Sequence, residues 1–496
     1  MSSVDGPSTD ARAVRVSAPF DSTAADRVAR AARETAADTP VVRTGPSGAG
    51  VLLLATADGE TVVHRHPEAA TVREVVRAVE AGNPLPGETI THDPDTTTLP
   101  VPSEGPLAVG TRRLLAPCGW RDPLDPTAWT FVSTTENAEP VAGTSLRGRG
   151  RGDAARDDLV SEAWTTVREQ DGEPVVVCNA NEASRLPQGD RTLLAGAPLA
   201  VLDGIAAVAD FVGAADAVLL VNETETALQR HLRDATDAVA DRLPVVPQLV
   251  AGPDVYRAGE PTAALEGLEG ADRIEPRLQP PTPAEYGLYG RPTVIHTPRT
   301  FAHVRQAIAT PGAYTGRDPG TRLVTVAGEV ADPVTVELAP DDSLAGVRGA
   351  VDLDEGFEFA VVGGELGGQT RDLDIAPTAR ALTAAGLGTD GVVELFSDRC
   401  PVAVAGERAR FASEENSGRC VPGREGTKQL TELLRDVYSG AFDPEKIREL
   451  ARVMRRSSNC LVGAQAPRPV TTAIEAFEPE FRAHTDGRCS SDRCFQ

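Results

Sequence analysis

The stretch Val175-Val-Val-Cys-Asn-Ala-Asn-Glu-Ala-Ser184 decides the fold. Its apolar half, Val175–Cys178, is a continuous run of the kind that parallel sheets bury on both faces. The polar residues that follow stand where open α/β sheets place ligands, beyond the carboxyl end of a strand. A second apolar run, Ala217–Val221, follows a helical segment at Leu199–Val212. Residues 126–315 are therefore predicted to form an α/β domain.

The regions on either side have different patterns. Residues 46–125 combine an apolar strand with helix-spaced valines, which predicts a small α/β module. As a resemblance only, this module is weakly similar to thioredoxin. Residues 1–45 are polar and are predicted to be flexible. Residues 316–400 carry a hairpin pattern and predict a small α+β domain. Residues 401–485 predict three amphipathic helices, and residues 486–496 form a polar tail with two cysteines.

The amino-acid composition indicates the solvent to which the protein is adapted rather than the kind of partner that it binds. The 496 residues carry 73 acidic and 49 basic side chains, a net charge of −24, and only two of the basic residues are lysines. This pattern is typical of proteins adapted to concentrated salt, where screening makes a large charge tolerable. The sequence lacks the basic stripe of a nucleic-acid binder.

Targeting and membrane signals are not found in the sequence. The longest apolar stretch, residues 204–221, is interrupted by Asp210 and Asp216, so no membrane insertion is expected. Seven cysteines without a secretion signal favour reduced thiols or metal ligands over disulfides. We therefore expect a cytoplasmic protein.

Polar motifs mark several candidate sites. In the turn Leu146-Arg-Gly-Arg-Gly-Arg-Gly152, backbone N–H groups and arginines could bind a phosphate, although such a turn also fits a flexible loop. Other motifs follow at Asn179–Ser184, Tyr256–Thr262, Gly290–Thr297 and Glu415–Gly426, the last followed by Cys460.

In combination, the motifs over residues 110–485 resemble the NADH-binding flavoprotein subunit of respiratory complex I and its relatives in NAD-linked hydrogenases and formate dehydrogenases. The family patterns are L-R-G-R-G-G-A-G-F, N-A-D-E-S, Y-x-C-G-E-E-T, a proline-rich segment and E-S-C-G-x-C-x-P-C-R-E-G. They match, in that order, Leu146–Gly150, Asn179–Ser184, Tyr256–Thr262, Pro276–Pro292 and Glu415–Gly426.

This resemblance implies an α/β flavin-binding domain, a small α+β β-grasp (soluble-ligand-binding) domain and a C-terminal α-helical bundle. It implies flavin mononucleotide (FMN) as cofactor, NADH as substrate, a [4Fe–4S] cluster as electron acceptor, and other redox-complex subunits as partners. Arg147 and Arg149 would hold the flavin phosphate, and Glu182 and Glu260 would order the nicotinamide side. The implied cofactor-binding residues are Arg147, Gly148, Arg149, Gly150, Asn179, Asn181, Glu182, Ser184, Tyr256, Gly259, Glu260, His296 and Thr297.

The sequence departs from the family pattern at the flavin turn. Arg151 replaces a glycine where backbone must lie against the flavin. Asp153, Asp157 and Asp158 follow where the family has an aromatic residue and a turn of small residues. A carboxylate repels a phosphate. His296 and Thr297 replace a pair of asparagines, and Ala163 replaces a lysine.

The cluster motif is incomplete as well. Ser417 and Gly423 replace two of the four cysteines, and two thiolates cannot complete the usual ligation of a [4Fe–4S] cluster. The tail could fold back to supply the missing thiols, which predicts an iron–sulfur or zinc site; alternatively, the tail cysteines are free thiols. That site would consist of Cys420, Cys460, Cys489 and Cys494, with no role for Cys400.

Two functions follow from these observations. The first is an NADH dehydrogenase-type flavoprotein that passes electrons from NADH through FMN towards an iron–sulfur cluster. The second is a non-catalytic descendant that keeps the fold to bind a small ligand or a partner. The retained polar motifs favour the first function, whereas the altered glycine turn and missing cysteines favour the second.

Overall fold

The computed structural model describes residues 12–134, 137–155, 157–353, 356–492 and 494. It contains three β-sheets with flanking helices, followed by a helical C-terminal region, so the fold is a mixed α/β one. Short 3-10 helices connect these parts at Pro106–Ala108, Pro126–Ala128, Tyr256–Gly259, Leu288–Gly290, Pro311–Ala313, Leu344–Ala350 and Gly364–Leu366.

The first sheet has the strand order β2-β1-β3-β4-β5. It corrects the prediction of a flexible N-terminal segment, because residues 12–44 supply two of its strands and a helix. Val14 and Val16 are fully buried, and buried small residues of the helix cover them. Residues 1–11 lie outside the described residues. The elements are β1 (Arg12–Ser17), α1 (Thr23–Thr35), β2 (Val41–Thr44), β3 (Leu52–Ala57), β4 (Glu60–Arg65), α2 (Ala69–Ala81) and β5 (Thr89–Thr91).

The second sheet is fully parallel, with the order β8-β7-β6-β9. Both apolar runs of the sequence are strands in it, which confirms the prediction of a parallel α/β unit. Its elements are α3 (Glu139–Ala142), α4 (Gly150–Asp153), α5 (Val160–Glu169), β6 (Val175–Ala180), α6 (Gly189–Gly196), α7 (Pro198–Val212), β7 (Asp216–Asn222), α8 (Thr226–Val239), β8 (Gln248–Gly252), α9 (Pro261–Leu268), β9 (Thr293–His296) and α10 (Pro298–Ala309).

Helices α7 and α10 pack closely on one face of this sheet. A Cβ atom at Gly204 of α7 would lie 2.1 Å from the carbonyl oxygen of Phe301 in α10, so only glycine permits this approach. The contact fixes the start of α10, and this helix N-terminus faces the carboxyl ends of the strands.

The third sheet is mixed, with the order β11-β10-β14-β12-β13. The predicted hairpin is confirmed as the antiparallel pair β10 and β11. The buried carboxylate of Glu337 in β11 accepts hydrogen bonds from the backbone N–H groups of Arg113, Leu114 and Leu115, which holds the preceding linker against this sheet. The elements are β10 (Arg322–Gly328), β11 (Val334–Leu338), β12 (Phe359–Val362), β13 (Gly368–Thr370), α11 (Ala379–Ala384) and β14 (Val392–Phe396).

The C-terminal region is helical, as predicted, but its described residues form five helices instead of the predicted three. Its last helix, α16, leaves helical geometry at Phe477 and contains Pro479, which lacks an N–H donor for the helix ladder. The chain then returns towards the start of α12. The helices are α12 (Pro401–Glu415), α13 (Val421–Tyr438), α14 (Pro444–Ser457), α15 (Leu461–Gln465) and α16 (Arg468–Thr485).

Among the described residues, no single helix is both long and apolar enough to cross a membrane. Within the described part of the chain, only α6 and α7 taken together have the required length and composition, and they are bent by 95° at their junction.

Candidate functional site

The polar residues after β6 meet the loop after β8 at the carboxyl edge of the parallel sheet. The side-chain amide of Asn179 donates to the carbonyl oxygen of Gly259 at 3.3 Å, and its Oδ1 accepts from the backbone N–H of Asn181 at 3.1 Å. The Glu182 carboxylate accepts from the backbone N–H of Ser184 at 2.9 Å. The two motifs therefore form one site wall, although β7 lies between β6 and β8, because the carboxyl ends of all these parallel strands meet at the same edge of the sheet.

The loop after β8 contributes an aromatic ring and a carboxylate to this wall. Tyr256 opens a 3-10 turn and is buried against Phe411 of α12, with ring centroids 4.9 Å apart. Glu260 is buried at the start of α9, and its carboxylate accepts from the hydroxyl of Thr262 at 2.9 Å. The contact with Phe411 places the helical C-terminal region directly behind the sheet edge.

The side chain of Arg151 fills the space in front of this wall. Its guanidinium donates to both carboxylate oxygens of Glu182 at 3.2 Å and to the carbonyl oxygen of Tyr256 at 2.8 Å. It also lies over the Tyr256 ring, 3.8 Å from the centroid. A Cβ atom at Gly259 would lie only 1.8 Å from Nη2 of this arginine. We call this arrangement the Arg151 plug.

The third sheet contributes a buried acid to the plug. Asp390, which precedes β14, has a carboxylate oxygen 3.9 Å from Nε of Arg151. Burial and the nearby Glu182 raise the pKa of Asp390 to about 7. Burial acts to lower the pKa of Arg151, but attraction to Glu182, Tyr256 and Asp390 outweighs it and raises this pKa. The plug therefore holds a permanent cation between two acids.

A second side chain of the glycine turn occupies an anion position. One carboxylate oxygen of Asp153 accepts from the backbone N–H of Thr297 at 2.9 Å and from the hydroxyl of Thr300 at 2.7 Å. Thr297 is the N-cap of α10, so the carboxylate lies where a helix N-terminus attracts negative charge. Nδ1 of His296 lies 3.2 Å from the other oxygen, and its Nε2 accepts from Trp164 at 3.0 Å.

The two arginines predicted to bind phosphate have other partners. Arg149 is only 1% exposed and donates to the carbonyl oxygens of Arg147, Pro319 and Thr321. Burial lowers the pKa of Arg149 to about 9. Arg147 donates to the carbonyl oxygen of Asp157. Gly148 and Gly150 serve the fold of the turn itself, because side chains there would contact Asp153 and Thr297.

A cleft of about 290 Å³ lies beside the turn. Its described lining includes four carboxylates and neither lysine nor arginine. The titratable lining residues are Asp153, Asp158, Glu162, Glu260 and His296, and Leu461 of α15 also lines the cleft. An anionic group entering this cleft would meet a negative potential.

Leu461 leads to a pair of thiols. Cys420 and Cys460 are the N-cap residues of α13 and α15, and each sulfur accepts from a backbone N–H three residues later, at 3.3 and 3.4 Å. Both side chains are buried. A Cβ atom at Gly423 would lie 3.0 Å from the sulfur of Cys420, so the position of a missing family cysteine does face this pair.

The tail cysteines do not join this pair, which corrects the predicted four-cysteine site. Cys489 and Cys494 lie with Cys400 and His484 at the start of α12, whereas Cys460 packs near Tyr256 in a separate core. The break in α16 carries the tail to this other end of the helical region. Asp390, Cys400 and His484 are thus site residues that no sequence motif identifies, because only the tertiary fold brings them to their partners.

The comparisons with known proteins agree with this architecture. Residues 144–306 match the Nuo51 FMN-binding domain, and residues 403–484 match the NADH-ubiquinone oxidoreductase-F iron-sulfur binding region. The chain is 30% identical to the NADH-quinone oxidoreductase subunit designated F 2 of Rhizobium meliloti (strain 1021), over 71% of this chain and 89% of that protein. The chain belongs to the family of NADH-quinone oxidoreductase F subunits.

Two further proteins are similar to this chain. The HndC subunit of the NADP-reducing hydrogenase of Solidesulfovibrio fructosivorans is 27% identical over 73% of this chain and 79% of its own length. In the crystal structure of NAD⁺-reducing [NiFe]-hydrogenase in the H₂-reduced state, a chain matches with a TM-score of 0.66 at 23% identity, covering 96% of this chain and 84% of that one. The resemblance inferred from the motifs is confirmed.

The FMN of this family does not fit the described conformation. The Arg151 plug fills the space against Gly259 and Tyr256, and Asp153 already caps the helix that could receive a phosphate. The cleft beside the turn is lined by carboxylates, so it would repel a phosphate. Bound FMN would therefore have to displace Arg151.

The family's cluster does not fit the thiol pair either. Ser417 and Gly423 stand in two of the four ligand positions, and the tail thiols lie elsewhere in the described residues. Two thiolates leave a [4Fe–4S] cluster without half of its protein ligands.

Proposed function

We propose that this chain is the F-type subunit of an NADH-linked redox complex. The observation that carries the proposal is the assembly of Asn179, Glu182, Tyr256 and Glu260 on one sheet edge, in contact with the helical region that holds Cys420 and Cys460. As an enzyme, it would be an NADH:acceptor oxidoreductase. The relatives in Rhizobium meliloti and Solidesulfovibrio fructosivorans are subunits by name, which supports assembly with other redox subunits.

Within this proposal, the carboxyl edge of the parallel sheet is the ligand site. Asn179 and Asn181 shape the wall through backbone contacts, and the Oδ1 atom of Asn181 is buried with no hydrogen-bond partner among the described residues. Glu182 and Glu260 supply the carboxylates of this wall.

The domain boundaries and the compartment belong to the same proposal. We propose residues 126–315, 316–400 and 401–485 as the α/β, β-grasp and helical domains. We propose the cytoplasm as the compartment, since none of the seven cysteines, all of which lie in the described part of the chain, forms a disulfide.

The Arg151 plug favours a second candidate function, a non-catalytic subunit that keeps the position but not the reaction of its family. The Arg151 guanidinium is bound to Glu182, stacked on Tyr256 and in contact with Gly259. It leaves no room for a planar ring against the Tyr256 side of the sheet edge. Such a subunit would hold the complex together through its fold.

The two candidates differ in one measurement. The full chain, purified in concentrated salt and given FMN, is assayed for NADH oxidation with an artificial electron acceptor. NADH-dependent reduction of the acceptor supports the oxidoreductase and removes the non-catalytic candidate. No reduction, together with co-purification of other redox subunits from the native cell, supports the non-catalytic subunit. A chain that neither reacts nor co-purifies with such subunits contradicts the proposal of a redox-complex component.

A further inference from the structure

A cluster of four potential metal ligands lies away from the sheet edge, at the start of α12. Cys400, His484, Cys489 and Cys494 each offer one ligand atom, and these four atoms lie within 4.8 Å of one another. Cys400 precedes the first turn of α12, His484 lies in the last turn of α16, and the two remaining cysteines belong to the tail. The start of α12 and the segment that runs from the end of α16 into the tail therefore converge on one point. We call this group the Cys400 cluster.

The distances match the size of a tetrahedral zinc site. With Zn–S bonds of about 2.3 Å and Zn–N bonds of about 2.0–2.1 Å, ligand atoms on a tetrahedron stand roughly 3.5–3.8 Å apart. The sulfur of Cys400 lies 3.4 Å from Nε2 of His484. Three cysteines and one histidine form a recognised ligand set of structural zinc. A [4Fe–4S] cluster normally takes four thiolates and holds them further apart, around its own iron atoms.

Neighbouring groups orient His484 as a metal ligand. Nδ1 of His484 lies 2.7 Å from the carbonyl oxygen of Glu480, so Nδ1–H can donate there and Nε2 is left to face the sulfur atoms. Metal-binding histidines are usually oriented by such a backbone acceptor. The Tyr438 hydroxyl donates to the sulfur of Cys494 at 3.8 Å, and the Tyr438 ring packs edge-on against His484.

The cluster is also largely closed to solvent, as structural zinc sites are. Cys400 and His484 are 2% and 1% exposed, Cys489 is 9% exposed, and Cys494 is half-buried at the outer side. Burial alone keeps thiols protonated, whereas a shared cation would allow all three to ionise. We propose that Cys400, His484, Cys489 and Cys494 bind one Zn²⁺ ion that fastens the C-terminal tail to the start of α12.

The test measures zinc in the intact chain. The protein is produced with zinc in the medium, purified in concentrated salt and analysed by mass spectrometry for metals. We expect one zinc ion per chain, and loss of that zinc in the double variant Cys489→Ser/Cys494→Ser. The matched control Cys420→Ser/Cys460→Ser removes the other thiol pair and should keep its zinc. The readout is independent of flavin or NADH, so it can fail while the proposed function stands.

A second measurement covers the case in which the tail variant does not fold. Co²⁺ added to the metal-free wild-type chain should give the intense visible absorption of tetrahedral cobalt with thiolate ligands. The proposal is overturned if the wild-type chain holds no zinc, if it holds iron instead, or if the Cys420→Ser/Cys460→Ser control loses its zinc while the tail variant keeps it.

Discussion

Replacing Arg151 by the glycine of its family should open the sheet-edge site. The substitution removes a guanidinium that donates to both oxygens of Glu182 and to the carbonyl oxygen of Tyr256. Because this side chain is only 8% exposed, FMN can reach the wall only after these contacts have been broken. Contacts of a buried charged pair are worth on the order of 3 kcal/mol when one partner leaves.

That energy sets the expected change in affinity. A ligand that must displace the Arg151 plug loses about 3 kcal/mol, and each 1.4 kcal/mol is a factor of about ten in the dissociation constant. Arg151→Gly should therefore bind FMN roughly 100-fold more tightly than the wild-type chain does. The same loss of contacts should destabilise the flavin-free variant by a similar amount.

The assay is a titration of FMN fluorescence, which bound flavin quenches, in concentrated salt. The matched control is Arg185→Gly, because Arg185 is exposed and pairs with Glu225 outside the plug. Its FMN affinity should equal that of the wild type. Two results would show that Arg151 does not block the site. One is equal FMN affinity of Arg151→Gly and the wild type, and the other is a wild-type chain that is purified with one tightly bound FMN.

Three further predictions concern stability. Gly259→Ala would place a Cβ atom 1.8 Å from Nη2 of Arg151, so this substitution should lower the free energy of unfolding by about 1–3 kcal/mol. In a double-mutant cycle, Arg151→Gly should relieve this loss. Equal losses of stability with and without Arg151 would contradict the contact. Since the pKa of Asp390 is raised to about 7 from 3.8, the folded protein retains a proton that the unfolded chain releases, and stability should fall as the pH rises through this window. Thermal unfolding should therefore show that Asp390→Asn is more stable than the wild type at about pH 8, by on the order of 2 kcal/mol, and similar to it at about pH 4. Parallel stability curves of the two proteins against pH would argue against this titration. Because the net charge is −24, the chain should unfold at a lower temperature in about 0.1 M salt than in about 1 M salt, where the Debye length is about 3 Å instead of about 10 Å. An unfolding temperature that does not depend on salt in calorimetry would contradict adaptation of the protein to concentrated salt.

The parallel unit can be predicted from the sequence because its signals are local. The apolar run at Val175–Cys178 and the polar residues after it identify a buried strand and the edge where ligands bind, and both lie in one short stretch. The proline and cap positions that begin α13 and α14 are local as well. Neighbouring residues determine these elements.

The N-terminal sheet cannot be predicted in the same way. Its helix α1 buries mainly alanine, and small residues give a weak hydrophobic pattern among many charged neighbours. Burial of Val14 and Val16 depends on strands that come later in the chain. The polar composition of this segment therefore wrongly predicts flexibility.

The state of the candidate site depends on contacts between distant residues. The sequence shows Arg151 as a departure from glycine, but its position between Glu182 and Asp390 requires two different sheets to meet. The grouping of the tail cysteines likewise depends on the break at Phe477, which no spacing rule reveals.

The guanidinium of Arg151 and the ring of FMN compete for one space. A crystal structure of the wild-type chain soaked in FMN tests this competition without any substitution. We expect a guanidinium that remains 3.2 Å from Glu182, with no ring density between Tyr256 and the glycine turn. A flavin ring bound against Tyr256 while Arg151 still pairs with Glu182 would show that the two do not compete.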